Sequence, residues 1–468
     1  MIRLVLSLLL VAAAPLDPAV ERALAGAGPG TRIGLVVVDD QGREIVAVRP
    51  DDRFVPASNT KMFTTAAAFA LLDTSAADGG AGASVRLEGR DVVIAGHGDA
   101  RLSSAADCLS DCLIELARVV AARTRVVHDV IGDDSAFPDE RWPQGMSWNN
   151  MPGRYGTAIS ALTIDDNVVP VVVSPGRPGA APSLTSDGYY SIVNRAVTGG
   201  TGSRLSVERV PGSAVLRVTG HIAAGQAPVT LSVAVDDPAH RAAWRLADLL
   251  RTLGVRVTGT VGTWHRPLAA FDDPATRDTA PPPRLPRQPV LARLAPPPLT
   301  ENLRVINKVS QNLHAELLLR RVGAVAGTGS VADGQRAVRN MLDTAGVERW
   351  SYDFADGSGM SSYNRLTPRA AVRFLRWTQG QTWGPAWQAT LPVAGVDGTL
   401  SRRFRGTPLE GKLFAKTGTL NAANALSGFM IAASGRMLVF SALANDMPGD
   451  ASATAAVDAA LLAVAAAN

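Results

Sequence analysis

The chain has 468 residues, a formal net charge of +4, 46% hydrophobic and 19% charged residues. That balance excludes a disordered or fibrous protein, and the length exceeds one ordinary domain and points to two or three. Acidic and basic residues are interspersed, and no basic run carries interleaved aromatics, so the charge argues against a nucleic-acid partner.

The first stretch, Met1-Ile2-Arg3-Leu4 to Ala14, has one positive charge, an apolar core and then small residues. It reads as a secretory signal, with an uncleaved anchor as the open alternative, and it is too short to span a bilayer securely. No Cys follows the apolar core, which argues against a lipoprotein. Residues 32–50 then alternate as a hairpin, with Asp39-Asp40-Gln41-Gly42 at its turn. Directly after it comes Val55-Pro56-Ala57-Ser58-Asn59-Thr60-Lys61-Met62-Phe63, the start of an Ala-, Phe- and Leu-rich run that reads as a buried helix. Pro56 fits a helix entrance, and a residue at i+3 shares a face with Ser58. A buried lysine loses its proton readily and can serve as base to a neighbouring serine. Taken alone, Ser58 and Lys61 are also compatible with an ordinary helix cap ahead of an unrelated lysine.

Lysine usage favours the catalytic reading. Of 46 Lys plus Arg, only Lys61, Lys308, Lys412 and Lys416 are lysines. Arg keeps its proton in proteins, whereas a buried Lys can give it up, so a chain that prefers Arg has a reason to keep a Lys where deprotonation is needed.

Further along, Gly79-Gly80-Ala81-Gly82 marks a break, and Val85–Leu87 and Val92–Ile94 read as short strands. Leu109–Arg123 reads as a helix. Cys108 and Cys112 are four apart, a spacing compatible with a local disulfide or with two reduced thiols on a helix face, the bridge being favoured in an exported chain. Val168–Val173, Leu205–Val210, Val215–Val218 and Val229–Val235 read as strands of a compact β-rich unit, which the helical stretch Ala239–Leu253 would close. A proline-rich passage runs from Pro281-Pro282-Pro283 to Pro296-Pro297-Pro298. Helical periodicity resumes at Leu299. Paired strands follow near 413–419, 426–431 and 437–444, and Ala453–Ala467 closes the chain as a helix. His97, His128, His221, His240, His265 and His314 are scattered, without the His-Glu-x-x-His spacing of a zinc peptidase, so no metal or other cofactor is expected.

Three short motifs occur in a fixed order: Ser58-Asn59-Thr60-Lys61, Ser310-Gln311-Asn312 and Lys416-Thr417-Gly418. Each is weak alone. Together they resemble the signature of penicillin-binding proteins and serine β-lactamases. Lys61 and Asn312 lie 251 positions apart, which resembles the low-molecular-mass class C penicillin-binding proteins, the D-Ala-D-Ala carboxypeptidase/endopeptidases of peptidase family S13. Gly96–Asp99, Asn307–Glu316, Asp356–Leu366 and Lys416–Gly428 also look like that family.

The resemblance implies an α+β fold in which a serine β-lactamase/transpeptidase-like domain (antiparallel sheet flanked by helices, residues 18–85 and 290–468) carries two inserted β-rich domains, one from 86–170 and 256–289 and the other from 171–255. It implies Ser58 as nucleophile, Lys61 as base, Ser310 as proton relay to the leaving amine, Asn312 as orienting group and Lys416 as the attractor of the substrate's terminal carboxylate. Thr417, Gly418 and Thr419 would line the substrate, with the Ser58 and Thr419 N–H groups as oxyanion hole. Asp133 is similar in place to the family Asp that receives the free amine of a diamino acid, with Asp134 and a plain acidic turn as alternatives. Ser362 stands where the family often has Arg. The implied activity is that of an exported, cell-envelope serine D,D-peptidase acting on peptidoglycan stem peptides, with β-lactams as covalent inhibitors and a peripheral membrane association left open. The rival readings are a β-lactamase and a catalytically silent wall-binding scaffold.

Overall fold

The computed structural model describes residues 17–278, 280 and 289–468. The signal or anchor expectation for residues 1–14 and the run Pro281-Pro282-Pro283 lie outside the described residues. No helix among the described residues is long and apolar enough to cross a membrane.

The hairpin reading of residues 32–50 holds. Arg32–Val38 and Glu44–Val48 pair antiparallel and form one side of a five-stranded sheet. The other three strands, Leu413–Leu420, Ala423–Ile431 and Met437–Asn445, come from the far end of the chain, and Met437–Asn445 pairs with Arg32–Val38 so that Arg32 faces Asn445. Both faces of this sheet are covered, which explains why Arg32–Val38 is buried almost throughout. Successive side chains point to opposite faces. Accordingly Val36 and Val38 enter one core with the helices Thr60–Leu71, Leu299–Lys308, Asn312–Ala324 and Pro368–Gln379, while Leu35 and Val37 enter a second core with Thr454–Ala467.

Thr60–Leu71 is enclosed along nearly its whole length. Met62, Phe63, Ala66, Ala67, Ala68 and Phe69 are all buried, and its alanines allow the neighbouring elements to approach closely. Trp387, fully buried, packs edge-on to Phe374 and Phe429 and donates its Nε1–H to Thr65 Oγ1 at 3.0 Å.

The chain leaves this body after the helix and returns before Leu299. In between, Val261–Arg266, Val130–Pro138, Asp91–Ala95, Ser84–Glu88 and Ala292–Arg293 build a second five-stranded sheet. Leu113–Arg123 and Pro238–Thr252 pack with it around Leu116, Val120, Val130, Leu246 and Leu250. Smaller sheets within 168–234 enclose a separate core of Val169, Val171, Tyr190, Leu216, Val233 and Val235.

Two sequence expectations change here. The helix Pro238–Thr252 touches the β-rich unit through Arg241, which pairs with Asp187, and Trp244, which packs edge-on to Tyr189, but its apolar stripe is covered elsewhere. Its apolar residues Ala239, Ala242, Ala243, Leu246, Ala247 and Leu250 fall on one face, which is satisfied by Leu113–Arg123 and the second sheet. The helix expected from Leu109 begins at Leu113, because Asp111 has φ +59°, a left-handed conformation that a continuing helix does not accommodate. Cys108 and Cys112 are joined by a disulfide in the loop ahead of that helix.

Replacing Trp387 by Ala is expected to cost about 3–5 kcal/mol through loss of a large buried ring and the cavity left behind. A shift of the urea or thermal transition measures it, and an unchanged transition would refute the packing role.

Candidate active site

Ser58 stands on a short 3-10 turn, Ala57–Asn59, that runs into Thr60–Leu71. The turn is tied to the sheet. Asn59 Nδ2 donates to Ser427 Oγ at 2.7 Å, and the Val55 N–H donates to Asn445 Oδ1 at 2.7 Å. Ala57 has φ +47°, an unusual conformation for a residue with a Cβ, so these ties hold a locally strained backbone in place. Two neighbours must approach this turn without side chains. A Cβ at Gly418 would lie 2.8 Å from the Pro56 carbonyl oxygen, and one at Gly359, where φ is +87°, would lie 1.9 Å from that of Ala57.

One helical turn beyond Ser58, Lys61 is fully buried. Its Nζ lies 2.9 Å from Ser58 Oγ, 2.6 Å from Asn312 Oδ1 and 2.6 Å from the Ser358 carbonyl oxygen. The Asn312 amide is oriented independently, because its Nδ2 donates to the Tyr155 carbonyl at 3.0 Å. Two of the three neighbours of the amine can therefore only accept. A neutral amine has two N–H groups for those carbonyls and one lone pair for the Ser58 hydroxyl. Burial supports that state by pulling the Lys61 pKa from 10.5 to about 7, against the opposing pull of Asp356 and Glu316.

Ser310 and Asn312 come from the junction between Leu299–Lys308 and Asn312–Ala324. Ser310 has φ +64° and accepts from Lys416 Nζ at 3.0 Å. Lys416 is also fully buried, and it donates to the Thr417 carbonyl at 2.9 Å. Burial, and then the nearby Lys61, hold its pKa well below the usual lysine range. Thr417 Oγ1 bonds Thr399 Oγ1 at 2.7 Å, and Thr419 is exposed at the end of the same strand.

Ser58, Lys61 and Asn312 thus form one hydrogen-bonded group and Ser310 with Lys416 a second, the two lysines being close enough to interact, with Thr417, Gly418 and Thr419 on the Lys416 strand. Asp133 is not brought to it. Its carboxylate accepts from Arg86 Nη2 at 3.0 Å and from Ser135 Oγ at 2.6 Å, an ion pair internal to the second sheet. The alternative, Asp134, accepts from Ser160 Oγ at 2.7 Å and pairs with His265. Ser362, at the position where Arg was expected from the resemblance, bonds the Gly145 carbonyl through both its N–H and its hydroxyl. Lys308 pairs with Asp397 at 2.5 Å, and Lys412 is exposed.

Motif reading missed the support beneath the amine. Asp356 accepts from the Gly359 N–H at 2.8 Å, the Ser361 N–H at 2.6 Å and Asn364 Nδ2 at 2.7 Å, which fixes the loop that presents the Ser358 carbonyl. Glu316 is buried below the same loop. A sequence signal existed for it: Glu316 is four residues after Asn312 and so shares its helix face.

A model of the D-Ala-D-Ala carboxypeptidase 3 (S13) family matches residues 16–467. The D-alanyl-D-alanine carboxypeptidase of an Actinomadura species is 35% identical over 464 residues, covering 93% of this chain and 80% of that protein. The penicillin-sensitive carboxypeptidase A of Dictyostelium discoideum is 25% identical over 434 residues, covering 84% of this chain and 78% of that protein. Among solved structures, penicillin binding protein 4 from Haemophilus influenzae superposes with a TM-score of 0.79 at 22% identity, covering 94% of this chain and 97% of that one. That superposition shows a shared α+β fold over nearly the whole chain.

Gly359→Ala tests the close approach. The added methyl group has no room against the Ala57 carbonyl, so the Ser58 turn must move, and a displacement near 1 Å costs about 100-fold in rate. Covalent labelling of Ser58 by a fluorescent penicillin should slow by about that factor; unchanged labelling would show that the turn tolerates the intrusion.

Proposed function

Because the chain belongs to the D-Ala-D-Ala carboxypeptidase 3 (S13) family and is a serine-type carboxypeptidase, we propose that it cleaves the D-Ala-D-Ala end of peptidoglycan stem peptides, and D,D-cross-links, through an acyl-enzyme on Ser58. The observation that carries this reading is the coordination of Lys61: two carbonyl-type acceptors for its N–H groups, and the Ser58 hydroxyl on its remaining side.

In this mechanism the Lys61 lone pair takes the Ser58 proton as Oγ attacks the carbonyl of the penultimate D-Ala. The Ser58 and Thr419 N–H groups receive the developing oxyanion, each donor being worth about 2.7–4 kcal/mol. The proton reaches the leaving D-Ala amine through Ser310, which is already bonded to Lys416. Lys416 receives the substrate's terminal carboxylate, and the arriving negative charge restores the proton that burial disfavours. Thr417, Gly418 and Thr419 give the substrate a strand edge to lie on. Water then attacks the ester and frees Ser58.

A β-lactam offers an equivalent carbonyl: attack by Ser58 opens the lactam C–N bond, the nitrogen takes the proton but stays tethered to the acyl group, and the ester that remains blocks the site. The printed name of the Dictyostelium relative is in keeping with this. The signal-like pattern of residues 1–14 supports an envelope location, where the polymer substrate of this reading lies.

The purified protein incubated with a fluorescent penicillin should acquire one stable label on Ser58. Ser58→Ala should abolish the label with an unchanged melting transition. Rapid turnover of the drug would indicate a β-lactamase instead, and neither adduct nor turnover would leave a wall-binding scaffold. Lys61→Arg should lose about 10²–10⁴-fold in acylation rate, because Arg cannot act as the base; near-normal rates would remove Lys61 from that role. The base form of Lys61 is the unprotonated one, so acylation should be full above about pH 7 and fall as the pH drops through it. An acylation rate independent of pH from 5 to 8 would contradict this assignment.

A further inference from the structure

Beneath the catalytic lysine lies a layer of buried charge that the mechanism above does not use. Glu316 Oε1 accepts the backbone N–H groups of Gly357 at 3.1 Å and Ser358 at 2.9 Å. The same peptide segment turns the Ser358 carbonyl toward Lys61 Nζ at 2.6 Å and the Gly357 carbonyl toward Thr64 Oγ1 at 2.8 Å, next to Lys61 on its own helix. Glu316 therefore grips the Gly357–Ser358 peptide, which is bonded on its other side to Thr64, and the next peptide, Ser358–Gly359, carries the carbonyl that meets the amine. Its second oxygen, Oε2, is buried and has no hydrogen-bond partner.

A carboxylate placed only to brace two N–H groups could be replaced by an amide at no electrostatic loss. Burial of a charge with one oxygen unpaired costs several kcal/mol unless nearby charges compensate it. The charged groups around it are few. Lys61 faces it from the helix Thr60–Leu71, Asp356 from the loop, and Arg320 from its own helix one turn on. Lys416 faces Lys61 from the strand side. Arg320 in turn is fully buried and reaches Glu140 of the inserted region, whose carbonyl accepts from Nη2 at 2.7 Å. Burial and Asp356 push the Glu316 carboxyl upward, toward the range in which Lys61 titrates. Two groups that titrate together in one dry compartment share their protons.

We propose that Glu316 is a positioning residue for acylation that acts twice on Lys61: by holding the backbone N–H groups of Gly357 and Ser358 it fixes the segment whose Ser358 carbonyl orients the amine, and through its charge it sets how readily the amine gives up its proton. This rests on Lys61 being the base for Ser58. An ionised Glu316 favours protonated Lys61, and a protonated Glu316 releases it. The consequence is a broadened acid limb in wild type, since the lysine responds to a neighbour whose own charge changes across the same pH range.

Glu316→Gln separates the two actions, because its amide oxygen still accepts both N–H groups while the charge is gone. The measurement is the acylation rate constant with a fluorescent penicillin from pH 5 to 9, each profile scaled to its own alkaline plateau, with a thermal melt of each protein. In the variant the acid limb should narrow to a one-proton curve and move to lower pH, so that near pH 6.5 the scaled rate exceeds wild type by about two- to threefold. A variant limb that coincides with wild type in width and midpoint would leave Glu316 a purely structural brace and overturn the proposal. If Glu316→Gln does not fold, the wild-type profile decides: a limb broader than one proton supports the coupling, and a simple one-proton limb overturns it. Wild type that forms no adduct at any pH would refute the acyl-transfer reading itself and this one with it.

Discussion

The Lys61 amine is withdrawn from water and ringed by Ser58 Oγ, Asn312 Oδ1 and the Ser358 carbonyl, and the rest of the candidate site is arranged to keep it so. An ammonium in that place would have to surrender its hydration, and the surrounding dipoles would have to replace it. Three segments far apart in the chain supply those dipoles. Each has its own restraint: Asn59 on Ser427 for the nucleophile turn, Tyr155 on Asn312, and Asp356 on the loop of Ser358. The left-handed conformations of Ala57 and Ser310, and of Gly359 opposite Ala57, are the local cost of aiming three backbones at one atom.

The inserted region takes part in this arrangement. The Tyr155 carbonyl orients the Asn312 amide, the Gln144 and Gly145 carbonyls accept from Ser361 and Ser362, and Glu140 accepts from Arg320 beneath the site. Residues 140–155 therefore form a wall of the candidate site as well as a connection between sheets. A shift of that wall would reach the orienting amide through a single hydrogen bond.

The centre was legible in the sequence to the extent that its chemistry demands particular side chains. A base that must lose its proton cannot be Arg, and in a chain that otherwise prefers Arg the two lysines Lys61 and Lys416 stood out. Ser58, Ser310 and Asn312 were recognised by their order relative to those lysines. The Ser358 carbonyl had no such signature, because any residue offers one, and its use depends on how the loop turns. Glu316 was within a noted segment, but only the fold reveals that it lies under that loop. Asp133 shows a different limit. Its neighbours in sequence suggested a substrate contact, while Arg86, 47 positions earlier, reaches its carboxylate across the intervening strand Asp91–Ala95. The helix Pro238–Thr252 was recognised by its periodicity, but periodicity tells which face is apolar and not which of two bodies will cover it.

The strand pairing of the central sheet also orders events in time. Arg32 bonds Asp446, 414 positions later, and the nucleophile turn leans on Ser427 and Asn445. The N-terminal hairpin therefore waits for nearly the whole polypeptide before it has a neighbour to pair with. The intervening bodies have cores of their own and can settle first, as domains generally do when a chain emerges from one end. Contacts of such long sequence separation form slowly. The Ser58 turn thus gains its setting only at the last stage of maturation, and a chain interrupted before its final strands carries Ser58 and Lys61 without the partners that Ser427, Asn445 and Lys416 supply.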